Sequence, residues 1–414
     1  MLFGVLLNHV VKRGTLLVVD HNGKVATFGD GTGRPVTMRL HGTGLHLGLA
    51  INPYLRLGEA YMDGELTVDA PATIYDLLDL ILGNLGTNYP GRAFRIYAAL
   101  RRMKRRIDQH NPIGKAQRNV AHHYDLDGGI YDLFLDADKQ YSCAYFAHPG
   151  MSLEEAQTAK KRHIAAKLMI EPGMRVLDIG CGWGGLALTL AEETGAEVVG
   201  VTLSREQHKV AMQRAKDRGL ADRVTFHLRD YRALEGTFDR IVSVGMFEHV
   251  GVGHYHEYFE AVKRLLADDG VALIHTIGRL DPPGATNPWI AKYIFPGGYI
   301  PALSEMAAAV EKTGICMTDL EVLRLHYAET LREWRRRFMA KRAEAASIYD
   351  ERFCRMWEVY LAGSETSFRH EGMVNFQLQI TKRIDTLPMT RDYIGETERT
   401  LGMIPAPRRL RAGE

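Results

Sequence analysis

Between residues 154 and 276 short apolar runs alternate with segments whose apolar residues recur every three to four positions. The runs Arg175–Ile179, Glu197–Val201, Val224–Leu228, Arg240–Val244 and Val271–Thr276 read as strands. Glu154–Met169, Gly184–Glu193, Glu206–Asp217 and Tyr255–Leu266 read as helices, the last ended by Asp269-Gly270. Strands alternating with helices of this length predict βαβ units and a parallel, doubly wound α/β sheet. Ligands of such sheets sit at the carboxyl ends of the strands.

The first hundred residues follow another pattern. Thr15–Val19, Val25–Phe28 and Val36–Leu40 are β-type runs separated by the turn signals Asn22-Gly23 and Gly29-Asp30-Gly31. Tyr75–Leu82 is a helical stretch broken by the segment 84–90, a basic helix is expected over Arg92–Ile107, and Asn111-Pro112-Ile113-Gly114 reads as a linker. The expected organisation is a small mixed α/β N-terminal domain over 1–107, a linker over 108–120 and a larger domain over 121–414. At 414 residues, two domains suit the chain better than one core.

Composition narrows the setting. Cys143, Cys181, Cys316 and Cys354 form no CxxC pair, which fits free thiols in a reducing compartment and argues against structural zinc. The apolar Met1–Val11 has no small-residue cleavage site and is not read as a signal peptide. No run of about 18 apolar residues occurs, so a cytoplasmic protein is expected. The net charge of +2 conceals basic clusters at 101–106, at Arg332, Arg335, Arg336, Arg337, Lys341 and Arg342, and at Arg408, Arg409 and Arg411. Such clusters are solvated helix faces, or they meet nucleic acid or an anionic lipid surface, and composition does not choose between these partners.

The candidate chemistry begins at Asp178-Ile-Gly-Cys-Gly-Trp-Gly-Gly185, between the first strand of the alternating region and its helix. Gly180, Gly182 and Gly185 have G-x-G-x-x-G spacing, by itself a weak signal for a dinucleotide. A dinucleotide site wants a carboxylate at the end of the second strand for the ribose hydroxyls. Here that strand ends Gly200-Val-Thr-Leu-Ser204, with no carboxylate before Glu206. Asp178 is an acid inside a buried strand directly before the loop, and needs a partner such as a ligand ammonium or loop amides. These two features point to S-adenosylmethionine rather than NAD.

Tyr141-Ser-Cys-Ala-Tyr145, Val176–Gly185, Val199–Ser204, RIVSVGMFEHVG at 240–251, LIHTIG at 273–278 and WIAKYIFPG at 289–297 together resemble the cyclopropane-fatty-acyl-phospholipid synthases. The likeness runs from about His123 to near the C-terminus, and MFEHVG and KYIFPGG are specific to that family among methyltransferases. Its mycolic-acid relatives resemble only the C-terminal part, so the extra N-terminal domain favours the phospholipid branch. The resemblance implies a Rossmann-like class I methyltransferase domain over 121–414, an N-terminal lipid-binding domain and a homodimer; with a lipid substrate, the basic clusters are expected to attach the protein peripherally and electrostatically to an anionic phospholipid bilayer surface, and no nucleic acid is expected. It implies donor contacts at Tyr141, Ser142, Gly180, Gly182, Thr202, Leu203 and Gln207, with Asp230 and Tyr231 on the adenine side. Asp178 joins them from its own position in the strand. Cys143, Glu248, His275 and Tyr327 match the pocket that holds bicarbonate in that family. The family's H-Y-D-L-G-N stands here with Asp127 and Gly128 in its last two places, and Gly363-Ser364 replaces a late cysteine found in some members.

The chemistry suits these residues. An isolated alkene attacks the sulfonium methyl unaided, leaving a cation that must be shielded from water and then deprotonated. Tyr145, Phe146, Phe247, Tyr293, Phe295 and Tyr327 are candidate cation-stabilising aromatics, with ordinary core packing as their other explanation. Glu248, His249, His254 and His256 also lie close enough in sequence to suggest a metal site, but a surface helix start accounts for the last two and no metal is expected. The competing functions are a same-fold enzyme leaving a methyl or methylene branch, a nucleic-acid methyltransferase, and a lipid-binding module without activity. The second lacks an N/D-P-P-Y motif where Met246–His249 stands, and the intact glycine loop opposes the third.

Overall fold

The computed structural model describes residues 2–86 and 129–402. The expected basic helix, the linker, the His123–Gly128 string and the arginines at 101–106 and 408–411 lie outside the described residues.

The N-terminal part holds β1 (Thr15–Val19), β2 (Val25–Gly29), β3 (Val36–Leu40) and β4 (Leu66–Val68) in a sheet of order β2-β1-β3-β4. The helices Leu2–Val10, Leu45–Ile51, Pro53–Met62 and Ile74–Leu85 accompany it. Ile74–Leu85 starts at a capping box between Thr73 and Asp76 and runs past the expected break, ending at Gly86, whose φ of +54° suits glycine.

The larger sheet is β5 (Arg175–Ile179), β6 (Glu197–Thr202), β7 (Val224–Leu228), β8 (Phe238–Val244), β9 (Leu266–Arg279), β10 (Cys316–Leu323) and β11 (Met373–Thr381). Their order is β10-β11-β9-β8-β5-β6-β7, with β5 to β9 mutually parallel and β11 antiparallel to both its neighbours. This is the doubly wound sheet the alternation predicts. The chain winds outward from β5 through β6 to β7, then restarts on the other side at β8. The crevice beyond the ends of β5 and β8 is therefore the topological switch point. β9 is much longer than Val271–Thr276: it starts at the buried Leu266, straight after the helix Tyr255–Leu265, and its exposed Asp268-Asp269 fall at the register shift against β8. Beyond Thr276 lie β10, β11 and the helices Pro288–Tyr293, Leu303–Thr313, His326–Ala340, Arg342–Ile348, Glu351–His370 and Asp392–Thr400.

One apolar cluster joins residues from both ends of the chain: Phe3, Leu7, Leu49 and Leu77 pack in it with Tyr131, Trp289, Trp334 and Trp357. The N-terminal helices and the helix Glu351–His370 thereby enclose space above the sheet ends.

Candidate active site

The loop after β5 takes its shape from glycines at positive φ: +83° at Gly180, +54° at Gly182 and +81° at Gly184. A Cβ on Gly180 would lie 2.9 Å from Met246 Cγ, and one on Gly184 2.7 Å from the Phe226 ring, whereas one on Gly182 would project into open space. That space is part of a cavity of about 150 Å³ at the switch point. Tyr141, Ser142, Asp178, Gly180, Gly182, Thr202, Leu203, Gln207, Asp230 and Tyr231, all ten of the expected donor residues, line it.

Asp178 is 1% exposed and its Oδ2 has no hydrogen-bond partner. Burial pushes its pKa up to about 7, with the Lys160 ammonium pulling the other way. Lys160 is itself buried and donates to Gln140 Oε1 at 2.6 Å and Ser142 Oγ at 2.8 Å, tying down the segment that walls the cavity. In place of a ribose-binding carboxylate, Thr202 Oγ1 donates to Gln207 Oε1 at 2.9 Å. Asp230 is not an isolated acceptor: it grips Arg232 through Nε at 2.9 Å and Nη2 at 2.8 Å, and caps the turn that follows it.

A second cavity, of about 330 Å³, opens between the N-terminal helices and the sheet ends. Its walls are mostly apolar, with Phe3, Leu7, Leu49, Leu78 and Trp289 among them, and Cys143, Glu248, His275, Tyr327 and Asn375 also line it. Glu248 sits in a short turn after β8, where Oε1 accepts from the Ile277 amide at 2.6 Å and Oε2 has no partner. Burial pushes its pKa up to about 7, against the opposing Ile277 and Thr276 donors. Burial likewise pushes His275 down to about 3 and His249 to about 4, so both rings are neutral. The buried Cys143 thiol donates to the Ala144 carbonyl at 3.3 Å and burial raises its pKa, so it is present as the thiol.

The two cavities share a wall formed by Tyr141, Ser142, Gly245 and His249. Of the six candidate aromatics, Phe295 and Tyr327 line the larger cavity. The other four are corrected. Tyr145 stacks between His163 and His326, Phe247 packs among Tyr255, Tyr258 and Phe259, Tyr293 bonds Glu59 at 3.0 Å, and Phe146 is a half-buried packing residue. Their place is taken by Tyr141 and Tyr360, whose hydroxyls are 2.7 Å apart. His249, Asn375 and Tyr360 also line the larger cavity. In the sequence His249 stands out only as a metal-ligand candidate beside Glu248, and no motif flags Asn375 or Tyr360.

Among the described residues, ligand atoms gather only at Asp20, His21 and His46, and not at Glu248, His249, His254 and His256. Also among the described residues, no helix is long and apolar enough to cross a membrane. The arginines of the 332–342 cluster all have acidic partners, Arg332 and Arg336 with Glu333, Arg335 with Glu365, Arg337 with Glu154, and Arg342 with Glu351 and Glu358, while Arg332 and Arg336 stay exposed on the helix face.

A sequence model of the family described as mycolic acid cyclopropane synthetase matches residues 113–378. The chain is 41% identical over 332 residues to the cyclopropane-fatty-acyl-phospholipid synthase of Escherichia coli (strain K12), covering 80% of this chain and 84% of that one. It is 42% identical over 268 residues to the tuberculostearic acid methyltransferase UfaA1 of Mycobacterium tuberculosis, covering 62% of each. Among solved structures it is similar to mycolic acid cyclopropane synthase CmaA1 complexed with SAH and CTAB, with a TM-score of 0.62 and 34% identity over 66% of this chain and 100% of that one.

Proposed function

This chain belongs to the mycolic acid cyclopropane synthetase family and is an S-adenosylmethionine-dependent methyltransferase; on that premise we propose that it closes cyclopropane rings at cis double bonds in the acyl chains of membrane phospholipids. The observation that carries this reading is the shared wall. A polar cavity at the switch point and a larger apolar cavity meet at Tyr141, Ser142, Gly245 and His249, where a methyl group would cross from donor to alkene.

The residues present fit the donor. Asp178, with its orphaned oxygen, would take the methionine ammonium, the Thr202–Gln207 pair the ribose hydroxyls, and the Asp230–Tyr231 side the adenine. Bound there, S-adenosylmethionine supplies an electrophilic methyl. The alkene π pair would take up that methyl, the donor leaving as its neutral thioether and positive charge passing to the other alkene carbon. Loss of one proton from the new methyl frees the pair that closes the ring. The apolar walls keep out water that would trap the cation, and the Tyr141, Phe295, Tyr327 and Tyr360 rings offer it negative π faces. Cys143, Glu248, His275 and Tyr327 would hold bicarbonate as the proton acceptor. The unpartnered Glu248 Oε2 supports this, since it leaves an acceptor for a hydroxyl beside neutral His275.

The same donor, alkene and base also serve an enzyme that leaves a methyl or methylene branch, and the tuberculostearic acid methyltransferase among the relatives favours keeping that reading. Lipid extracted from cells expressing the chain separates the two. Mass spectrometry should show one CH₂ gained per modified chain, and proton NMR the upfield methylene signals of a three-membered ring. Branch signals in their place, or unaltered lipid, would overturn the ring assignment.

A homodimer is the assembly the resemblance implies. Membrane docking is peripheral in this reading, and its support is an apolar patch rather than an arginine cluster. Leu2, Val5, Leu47 and Ile51 are 64%, 66%, 60% and 67% exposed on two helices whose opposite faces, through Phe3, Leu7 and Leu49, line the larger cavity. A bilayer covering that patch would stand beside the chamber an acyl chain must enter.

A further inference from the structure

Strand β11 sets Asn375, Gln377, Gln379 and Thr381 on one face and Val374, Phe376, Leu378 and Ile380 on the other, all of them buried. A buried amide is costly unless its oxygen and its NH₂ group are both answered, so the polar face requires polar partners. In the strand register Gln377 lies opposite His275 on β9 and opposite Glu321 on β10. Lys167, fully buried at the end of the helix Leu153–Leu168, reaches this row from above. Its Nζ donates to Gln377 Oε1 at 2.8 Å and also pairs with Glu321. Burial lowers the Lys167 pKa while Glu321 opposes that. Glu321, despite its own burial, is held well below the ordinary carboxylate range by His163 and Lys167, so the pair is ionic.

An ammonium group has protons to give and no lone pair. The Gln377 atom it touches must therefore be the oxygen, and the amide cannot turn over. Its NH₂ group then faces His275 Nδ1 at 3.1 Å. That group also has no lone pair to offer, so Nδ1 must be the acceptor, and a neutral imidazole must carry its proton on Nε2. On the Nε2 side, 3.4 Å away, stands the Asn375 amide nitrogen, while Asn375 Oδ1 has no partner. Turning that amide over brings Oδ1 to Nε2–H and gives that proton an acceptor.

We propose that Lys167 is a positioning residue that, through Gln377, locks His275 as its Nε2–H tautomer, so that His275 presents a donor and never an acceptor on the wall it shares with Glu248 and Asn375. The row is a clamp and not a proton path, because Gln377 would have to pass a proton through a high-energy imidic form. The assignment rests on the reading of His275 as part of the reaction site, but its test has an arm that does not depend on that reading.

In the full chain labelled with ¹⁵N-histidine, two-bond ¹H–¹⁵N correlations distinguish the tautomers, with the His275 signals identified by their loss in His275→Gln. The expected result for the parent protein is protonated Nε2 and bare Nδ1. Protonated Nδ1 would overturn the proposal without any variant. Gln377→Glu is isosteric and keeps the Lys167 contact, yet presents an acceptor to Nδ1. It should reverse the tautomer or charge the ring, and lower kcat on the order of 10²-fold with donor affinity unchanged. Lys167→Met should give a mixture of tautomers. If Gln377→Glu leaves both tautomer and kcat as they were, the lock is refuted. A reversed tautomer with full turnover supports the lock and counts instead against His275 acting in the reaction.

Discussion

Asp178→Asn would separate a structural aspartate from one that recognises the donor. The carboxyl is 1% exposed with Oδ2 unpartnered, and its pKa rises from 3.8 to about 7. At 1.36 kcal/mol per unit, that displacement corresponds to about 4 kcal/mol of unfavourable charge burial. An acid whose folded pKa is raised holds its proton more tightly folded than unfolded. Its contribution to stability is therefore greatest below the unfolded value and declines as pH climbs from about 4 to about 7. A bound cation reverses the logic, because it prefers the carboxylate. Below about pH 7 donor binding must first remove a proton, so the S-adenosylmethionine Kd should rise about tenfold per unit of falling pH and level off above 7. Calorimetric titration of the full chain between about pH 5.5 and 8.5 reads this slope directly. Asp178→Asn preserves the shape, should abolish the slope, and should weaken binding by about 10- to 100-fold, the worth of one charge-assisted hydrogen bond. It should also raise Tm of the donor-free protein at pH 8. Glu248 is likewise pushed up to about 7, but it lines the other cavity, so a slope belonging to it would survive in Asp178→Asn. A flat profile in the parent, or a variant that binds as tightly with the same slope, would refute the pairing of Asp178 with the donor.

Glu248→Gln keeps the size of the side chain and can keep the bond from the Ile277 amide, but it places a donor where the unpartnered oxygen now stands. Turnover should fall by about 10²- to 10⁴-fold with donor affinity within about twofold, and the parent should lose activity in decarbonated buffer and recover on adding bicarbonate; full activity together with indifference to bicarbonate would mean the proton leaves by another route. Ile51→Glu reverses one of four exposed aliphatic side chains, each worth about 1.5–3 kcal/mol when fully buried, so vesicle binding should weaken at least about tenfold in flotation with phosphatidylglycerol–phosphatidylethanolamine vesicles while activity on detergent-dispersed lipid persists. Unchanged flotation would remove the apolar patch from the docking surface.

The parallel core was legible because β5, β6, β7 and β8 announce themselves as short apolar runs between amphipathic helices, and the switch point follows from their order. The cavity at the switch point was legible for a related reason: its glycine loop stands out in the sequence, and Gly180, Gly182 and Gly184 all adopt positive φ. What the sequence hid is made by long-range pairing. β11 reads as alternating apolar and amide residues, the pattern of a strand with one solvated face, yet both its faces are buried because Lys167 and His275 meet the polar one. In the 332–342 cluster Arg332 and Arg336 pair locally with Glu333 and stay exposed, whereas the partner of Arg337 is Glu154, 183 residues away and beyond any local pattern. Four of the aromatics set aside for the cation proved to be packing residues for the same reason: ring identity says nothing of which cavity a ring faces.

Asp178 and Glu248 stand on either side of the shared wall, each buried, each with an unpartnered oxygen, and each raised to about 7. Ionising both in the empty protein costs several kcal/mol, a large part of the roughly 5–15 kcal/mol by which a domain is stable. Replacing them with apolar residues would stabilise the fold, so packing gives no reason for their presence. The reaction does. Positive charge enters on the donor side as an ammonium and a sulfonium and passes to the acyl side as a carbocation, and an unanswered acid waits on each face of the wall it crosses. The neutral His275 and His249 beside them add no positive charge of their own. In the proposed reaction, positive charge crossing at Tyr141, Ser142, Gly245 and His249 would pass between two acids that each keep one unpartnered oxygen.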